Sequence, residues 1–173
     1  NTAIGYNALS ADTLGSYTTA IGRGTLDAQN FTTATNTYNT AVGYNAGTQV
    51  TTGIQNTIIG GNAGDALTDA DFNVAVGTSA LGADTLGSKT VAIGRDALQS
   101  QNFTTATDTF NTAVGYEAGD QCTTGIKNTI VGALALDKET QGNKTVAIGY
   151  QALTNQDMGA DTDSNNVAVG FNA

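Results

Sequence analysis

One glycine recurs along this chain with a constant approach to it, at Gly5, Gly22, Gly43, Gly60, Gly77, Gly94, Gly115, Gly132, Gly149 and Gly170. Successive copies lie 17 or 21 residues apart. A unit this short cannot bury its own apolar side, so the chain has to stack unit upon unit until neighbours cover one another. Two spacings that differ by four imply one basic coil with an occasional insertion. Gly5 to Gly77 and Gly77 to Gly149 each span 72 residues, and the long coil returns as QNFTTATNTYNTAVGYNAG from Gln29 and QNFTTATDTFNTAVGYEAG from Gln101. Residues 1–173 therefore read as a single repeat domain. A four-coil block at 5–76 is duplicated at 77–148, and a further coil follows at 149–173.

The approach to the glycine alternates in character. Immediately before it stand Ile4, Ile21, Val42, Ile59, Val76, Ile93, Val114, Val131, Ile148 and Val169, β-branched without exception. Two places earlier comes a column of Thr or Val, from Thr2 to Val167, on the same face of a short strand. The residue between them is small and faces the other way. Asp, Asn, Ser, Thr and Gly fill the intervals between units, which is turn chemistry. With Gly every few residues and no apolar stripe at i, i+3, i+4 and i+7, helix is excluded. The expected fold is all-β, a parallel β-solenoid of about ten coils of 17 or 21 residues, roughly 48 Å long at about 4.8 Å per coil. A second apolar patch after the glycine, with Ala8, Ala46 and Ala63 followed by Leu or Gly, should pack back on the strand as a turn or a second short strand.

If the β-branched columns fill the coil, the small column must face outward. It comprises Ala3, Ala20, Ala41, Ile58, Ala75, Ala92, Ala113, Ile130, Ala147 and Ala168. An uncharged stripe along a whole rod is a surface that monomers avoid, and small side chains let two backbones approach closely. The expectation is that this column is the seam to another copy of the chain.

Composition narrows the chemistry. There is no His, Trp or Pro, one Cys, and a net charge of −9 from 15 acidic and 6 basic residues. Attraction to nucleic acid or to an anionic membrane surface is not expected. No apolar run is long enough for a transmembrane helix, and nothing at the N-terminus reads as a secretion signal. Without His, neither a Ser-His-Asp nor a Cys-His arrangement can form, and a His-ligated metal is excluded as well. A carboxylate pair of the glycosidase kind is conceivable, but the acids sit in turns, so no enzyme activity and no cofactor are expected. Cys122 aligns with Val50 one block earlier, which makes it a core substitute. Asp69-Ala-Asp71-Phe-Asn73 and Asp161-Thr-Asp163-Ser-Asn165 start like calcium loops but lack the following Gly and the closing Glu. Thr-x-Thr-x-Thr occurs only at Thr33 to Thr37 and at Thr105 to Thr109, so the array of an ice-binding solenoid is not expected.

The position after the glycine holds Tyr6, Arg23, Tyr44, Arg95, Tyr116, Tyr150 and Phe171, interrupted by Gly61, Thr78 and Ala133. Aromatic and Arg side chains at solenoid corners are candidate contacts for a surface glycan or protein receptor. The alternative is that they shield the coil edges by stacking on one another.

The wording NVAVG at Asn73 and Asn166 and TVAIG at Thr90 and Thr145 resembles the head repeat of YadA-type trimeric autotransporter adhesins. The fuller NTAVGYNAG at Asn39 is similar to repeats in the tail fibres of phages and other viruses. The resemblance covers the whole chain. It implies a left-handed β-roll, three of which pack side by side into a homotrimeric, extracellular rod that attaches a virion or microbe to a host surface. Coils of 17 and 21 residues are longer than the usual adhesin coil, and the Asn is mostly shifted from five to four places before the Gly. A filament subunit of purely structural role that stacks end to end is the alternative expectation.

Overall fold

The computed structural model describes all residues, Asn1–Ala173, and is a parallel β-solenoid with no helix. Fourteen strands, numbered along the chain, build it. Ten of them form one sheet in chain order: β1 (Thr2–Ile4), β3 (Thr19–Ile21), β5 (Thr40–Val42), β6 (Thr57–Ile59), β7 (Val74–Val76), β9 (Val91–Ile93), β11 (Thr112–Val114), β12 (Thr129–Val131), β13 (Val146–Ile148) and β14 (Val167–Val169). Every neighbour is parallel, and each repeat position pairs with its equivalent, as Ala41 with Ile58 and Ile130 with Ala147. The remaining strands pair two by two beside the insertions, β2 (Gly15–Ser16) with β4 (Thr35–Asn36) and β8 (Gly87–Ser88) with β10 (Thr107–Asp108).

The interior is the reverse of the sequence expectation. The small column lines the core: Ala20, Ala41, Ile58, Ala75, Ala92, Ala113, Ile130 and Ala147 are all fully buried. Only Ala3 and Ala168, in the terminal coils, retain exposure. The β-branched residues face outward instead, with Ile21, Ile59, Ile93, Val131 and Ile148 exposed. The cause is the width of the coil. The strand column shares one buried cluster with the second small column, Ala46, Ala63, Ala80, Ala97, Ala118, Ala135 and Ala152, and with Leu26, Val50, Leu67, Leu81, Leu98, Cys122 and Leu136. Where the strand carries a larger residue, the opposite wall recedes. A Cβ added at Gly47 would meet Ile58 Cδ1 at 2.9 Å, and one at Gly119 would meet Ile130 Cδ1 at 2.7 Å. Thus the predicted seam, Ala3, Ala20, Ala41, Ile58, Ala75, Ala92, Ala113, Ile130, Ala147 and Ala168, faces into the coil rather than outward, and all of it but Ala3 and Ala168 at the ends is buried.

The second apolar patch forms turns, not a strand. Leu9, Leu26, Leu81, Leu98, Leu136 and Leu153 adopt positive φ there, a conformation that costs an L-residue about 1–2 kcal/mol. Burial of the Leu side chain offsets this. The repeating glycine allows no substitute. At Gly22, φ is +131°, and a Cβ would lie 1.9 Å from the Gly43 carbonyl oxygen of the next coil. Any side chain would wedge adjacent coils apart.

Polar residues also run through the interior. Four places before the glycine, Asn39 Oδ1 accepts from Asn56 N, Asn56 Oδ1 from Asn73 N and Asn73 Oδ1 from Thr90 N, each at 2.9 Å. The ladder restarts from Asn111 through Asn128 to Thr145. Each Asn amide donates in turn to a carbonyl, as Asn56 does to Ala70 O at 2.8 Å. Thr takes the place of Asn only in the coil before an insertion. Thr90 Oγ1 pairs with Thr109 Oγ1 of the insertion at 2.6 Å and accepts from Gln101 Nε2 at 3.1 Å. Gln101 also donates to Asp84 Oδ2, while Asp84 Oδ1 accepts from Gly87 N and Phe103 N. Asp84 is a buried carboxylate held entirely by neutral donors, and burial raises its pKa. The tips of the first two insertions, Thr32 to Ala34 and Thr104 to Ala106, are exposed, anchored by buried Phe31 and Phe103.

Candidate interaction surfaces

The outward face of the long sheet presents two columns. One is Ile or Val and the other Thr or Val, and neither contains a charged residue. Ile59 is 39 % and Ile93 37 % exposed in mid-rod, so the stripe is accessible along its length.

A margin of protruding side chains borders this stripe on each side. The margin beyond the glycine holds the seven candidate contact residues, which the structure gathers into three patches. Arg23 lies between two rings, its guanidinium carbon 5.9 Å from the Tyr6 centroid and 5.4 Å from that of Tyr44, and donates to Tyr44 Oη at 3.0 Å. Beside it a small hollow of about 100 Å³ is lined by Asn7, Gly24, Asp27, Asn45 and Thr48. The second patch is Arg95 over Tyr116 at 5.6 Å. In the third, Tyr150 stacks on Phe171 at 5.2 Å. Gly61, Thr78 and Ala133 separate the patches. Because these rings stack along the rod axis, their faces are engaged with neighbouring coils. What they offer outward is ring edges, phenol hydroxyls and guanidinium N–H groups.

The margin on the other side of the stripe went unread in the sequence. Five places before each glycine stand Tyr17, Tyr38, Gln55, Phe72, Lys89, Phe110, Lys127, Lys144 and Asn165, all at positive φ. Tyr17 and Tyr38 stack at 5.3 Å with their planes 6° apart, and Lys89 lies 5.3 Å from the Phe110 centroid. The residue types are too varied to mark a column; only the left-handed corner unites them. Lys89 and Lys144 pair with Asp108 and Asp163 of the following insertions.

Acidic residues concentrate behind the first margin in the second block. Asp120 is raised to about 6, chiefly by burial and then by Asp137, Glu117 and Asp96, and its Oδ1 has no hydrogen-bond partner. Burial raises Asp137 as well, with Glu117 adding to it and Lys138 opposing it. A hydrogen bond to Glu117 holds the Tyr116 phenol above its usual range.

The two calcium-like runs are not brought to one point. Asn73 belongs to the interior ladder, and Asp71 Oδ1 accepts from Ile54 N at 2.7 Å. Asp163 pairs with Lys144, and Asp161 accepts from Asn143 Nδ2. No group of three or more acidic, Cys or His side chains is arranged to hold a metal ion. Cys122 is buried in the core at the place of Val50, and burial pushes its thiol up to about 12. No helix is long and apolar enough to cross a membrane. Neither a protein-family model, nor a curated protein, nor a solved structure matches the chain.

Proposed function

We propose that this chain is a segment of an attachment fibre of the viral tail-fibre or microbial-adhesin kind: a non-catalytic, extracellular rod in which three copies lie side by side. The observation that carries this reading is the uncharged β-branched stripe, exposed along a rigid stack of ten strands. A monomer that keeps such a face in water forgoes about 25 cal/mol for every Å² of apolar surface it leaves uncovered. The seam between copies is then the Ile/Val and Thr/Val face. Tyr6, Arg23 and Tyr44, and to a lesser extent Arg95, Tyr116, Tyr150 and Phe171, border that seam, and the phenol hydroxyls, ring edges and guanidinium N–H groups they present at its outer rim are what a glycan or protein on the host surface would meet.

Light scattering on the purified chain tests assembly; a clean monomer at micromolar concentration sinks it. Binding of the labelled rod to host surfaces, compared with Tyr6→Ala, Arg23→Ala and Tyr44→Ala, tests the contact residues. Unchanged binding removes them from the receptor-contact role. Electron microscopy separates attachment rods of fixed length from the end-to-end filament, which would grow without limit.

A further inference from the structure

The charge pattern around the stripe goes further than the assembly reading on which it rests. None of the 15 acidic residues lies on the stripe or in its two margins, whereas five of the six basic residues do: Arg23 and Arg95 beyond the glycine, and Lys89, Lys127 and Lys144 on the opposite margin. Arg95 is engaged by Asp96 at 3.0 Å, and Lys138 reaches Asn155 Oδ1 at 2.8 Å. Lys127 is exposed and enters none of the three ion pairs of the protomer. On the other side of the same coils lie Glu117, Asp120 and Asp137, which no protomer cation pairs with in an ion bridge. In the first block the pre-strand margin is uncharged, with Tyr17, Tyr38, Gln55 and Phe72, and the other side is less acidic: Asp27 and Asp65 remain, but Asn45 and Thr48 stand where Glu117 and Asp120 do in the second.

We infer that neighbouring copies pack parallel and in coil-by-coil register, with Lys127 of one copy facing the Glu117, Asp120 and Asp137 carboxylates of the next. The reasoning is geometric. Copies related by rotation about an axis along the rods bring the post-glycine margin of one against the pre-strand margin of the other. At equal height, the lysine coils of one copy meet the carboxylate coils of its neighbour, and the first blocks, whose pre-strand margin is uncharged, meet each other. An antiparallel pair sets each margin against its own kind, so lysines face lysines or aromatic rings and the carboxylates gain no lysine. Opposite charges at matched heights also favour one register, because a slip of one coil moves Lys127 off the centre of its three carboxylates and a slip of two carries it past them.

The test uses the native chain. Equal amounts of ordinary and ¹⁵N-labelled protein are mixed through a denaturation–refolding cycle, treated with a zero-length carbodiimide cross-linker, and digested for mass spectrometry. The inference expects linked peptides joining Lys127 to Glu117, Asp120 or Asp137, with one half heavy and the other light. Lys127→Gln, a residue already accommodated at the equivalent Gln55, should weaken assembly, and Lys127→Glu should weaken it by roughly tenfold, as when a surface-scale attraction becomes an equal repulsion. Pairing Lys127→Glu with Glu117→Lys should restore most of the loss. A stable oligomer whose mixed-label links join Lys127 to other coils, or that ignores these substitutions, overturns the register and leaves assembly standing. A chain that stays monomeric overturns assembly itself.

Discussion

The two four-coil blocks, 5–76 and 77–148, share an interior and differ at the surface. Thr18, Gln29, Phe31, Thr37, Asn39 and Ile58 of the first recur unchanged as Thr90, Gln101, Phe103, Thr109, Asn111 and Ile130 of the second. The surface beside the stripe does not recur: on the pre-strand margin Tyr17, Gln55 and Phe72 become Lys89, Lys127 and Lys144, while behind the other margin Asn45 and Thr48 become Glu117 and Asp120. A residue inside a coil is fixed by the coils above and below, so its identity follows from the stack. A residue on a margin is free of that constraint, so its identity answers to whatever lies outside the protomer. Two interior changes fit the same rule. Leu67 becomes Glu139 and Asn73 becomes Thr145 because a third insertion follows directly in the second block, and it needs its clamp. Glu139 accepts from Gly142 N and from Gln156 Nε2, both at 2.8 Å, much as Asp84 does for the insertion before it.

If the interiors are equivalent, core truncations should cost the same in both blocks. Ile58→Ala and Ile130→Ala each remove a fully buried side chain facing a glycine that cannot move in to fill the space. The expected loss is about 2–5 kcal/mol in each case, read from denaturant unfolding of the protomer. Ile59→Ala, one residue along and outward-facing, should change protomer stability by about 0.5 kcal/mol or less, and its effect should fall on assembly instead. Equal costs for Ile58→Ala and Ile59→Ala in a monomer would return the β-branched column to the core.

A smaller loss is expected from the polar ladder. Asn56→Ala leaves the buried Asn73 N–H and Ala70 C=O without partners, and Asn128→Ala does the same to Thr145 N–H and Gly142 C=O. Each should cost about 1–3 kcal/mol, again alike in the two blocks. Amide hydrogen exchange at Asn73 and Thr145 reads the released N–H groups directly. Protection that persists in the variants would mean that another acceptor takes over.

The stacking, the strand and the corner glycine were legible because a fixed period and an alternation survive any assignment of faces. Which face pointed inward was not, because three alternating residues define two sides without saying how far apart the walls stand. Side-chain bulk was the misleading guide. The correcting signal was in the chain: the only two Ile residues of the small column, Ile58 and Ile130, occur where the opposite wall has Gly47 and Gly64 or Gly119 in place of Leu. The insertion clamp could also have been found, since Thr18, Thr90 and Thr145 replace Asn only before a long coil, and Gln29, Gln101 and Gln156 follow at a constant distance. The contact column after the glycine was visible from its residue types. The Tyr17-to-Asn165 margin was not, because a shared positive φ leaves no single residue type behind.

The smallest expected effect concerns the charged surface, and it can be moved from one block to the other. Asp120 has its folded-state pKa raised to about 6, against about 3.9 for an unfolded Asp. The folded protomer therefore holds the proton more tightly than the unfolded chain does. Its stability rises as pH falls through about 6 and levels off below about 4, with Asp137 contributing in the same direction. Asp120→Thr, which installs the residue of the equivalent Thr48, should flatten this dependence and stabilise the dilute protomer at pH 7 by a few tenths of a kcal/mol, the scale of screened surface charge. Thr48→Asp should do the converse in the first block, since it stacks a second carboxylate one coil from Asp65, whose pKa burial already raises. Denaturation midpoints at pH 5 and pH 7 decide the matter. A pH dependence that stays with the second block in both variants would assign it to the buried carboxylate Asp84, and the margins would then differ in charge without differing in energy.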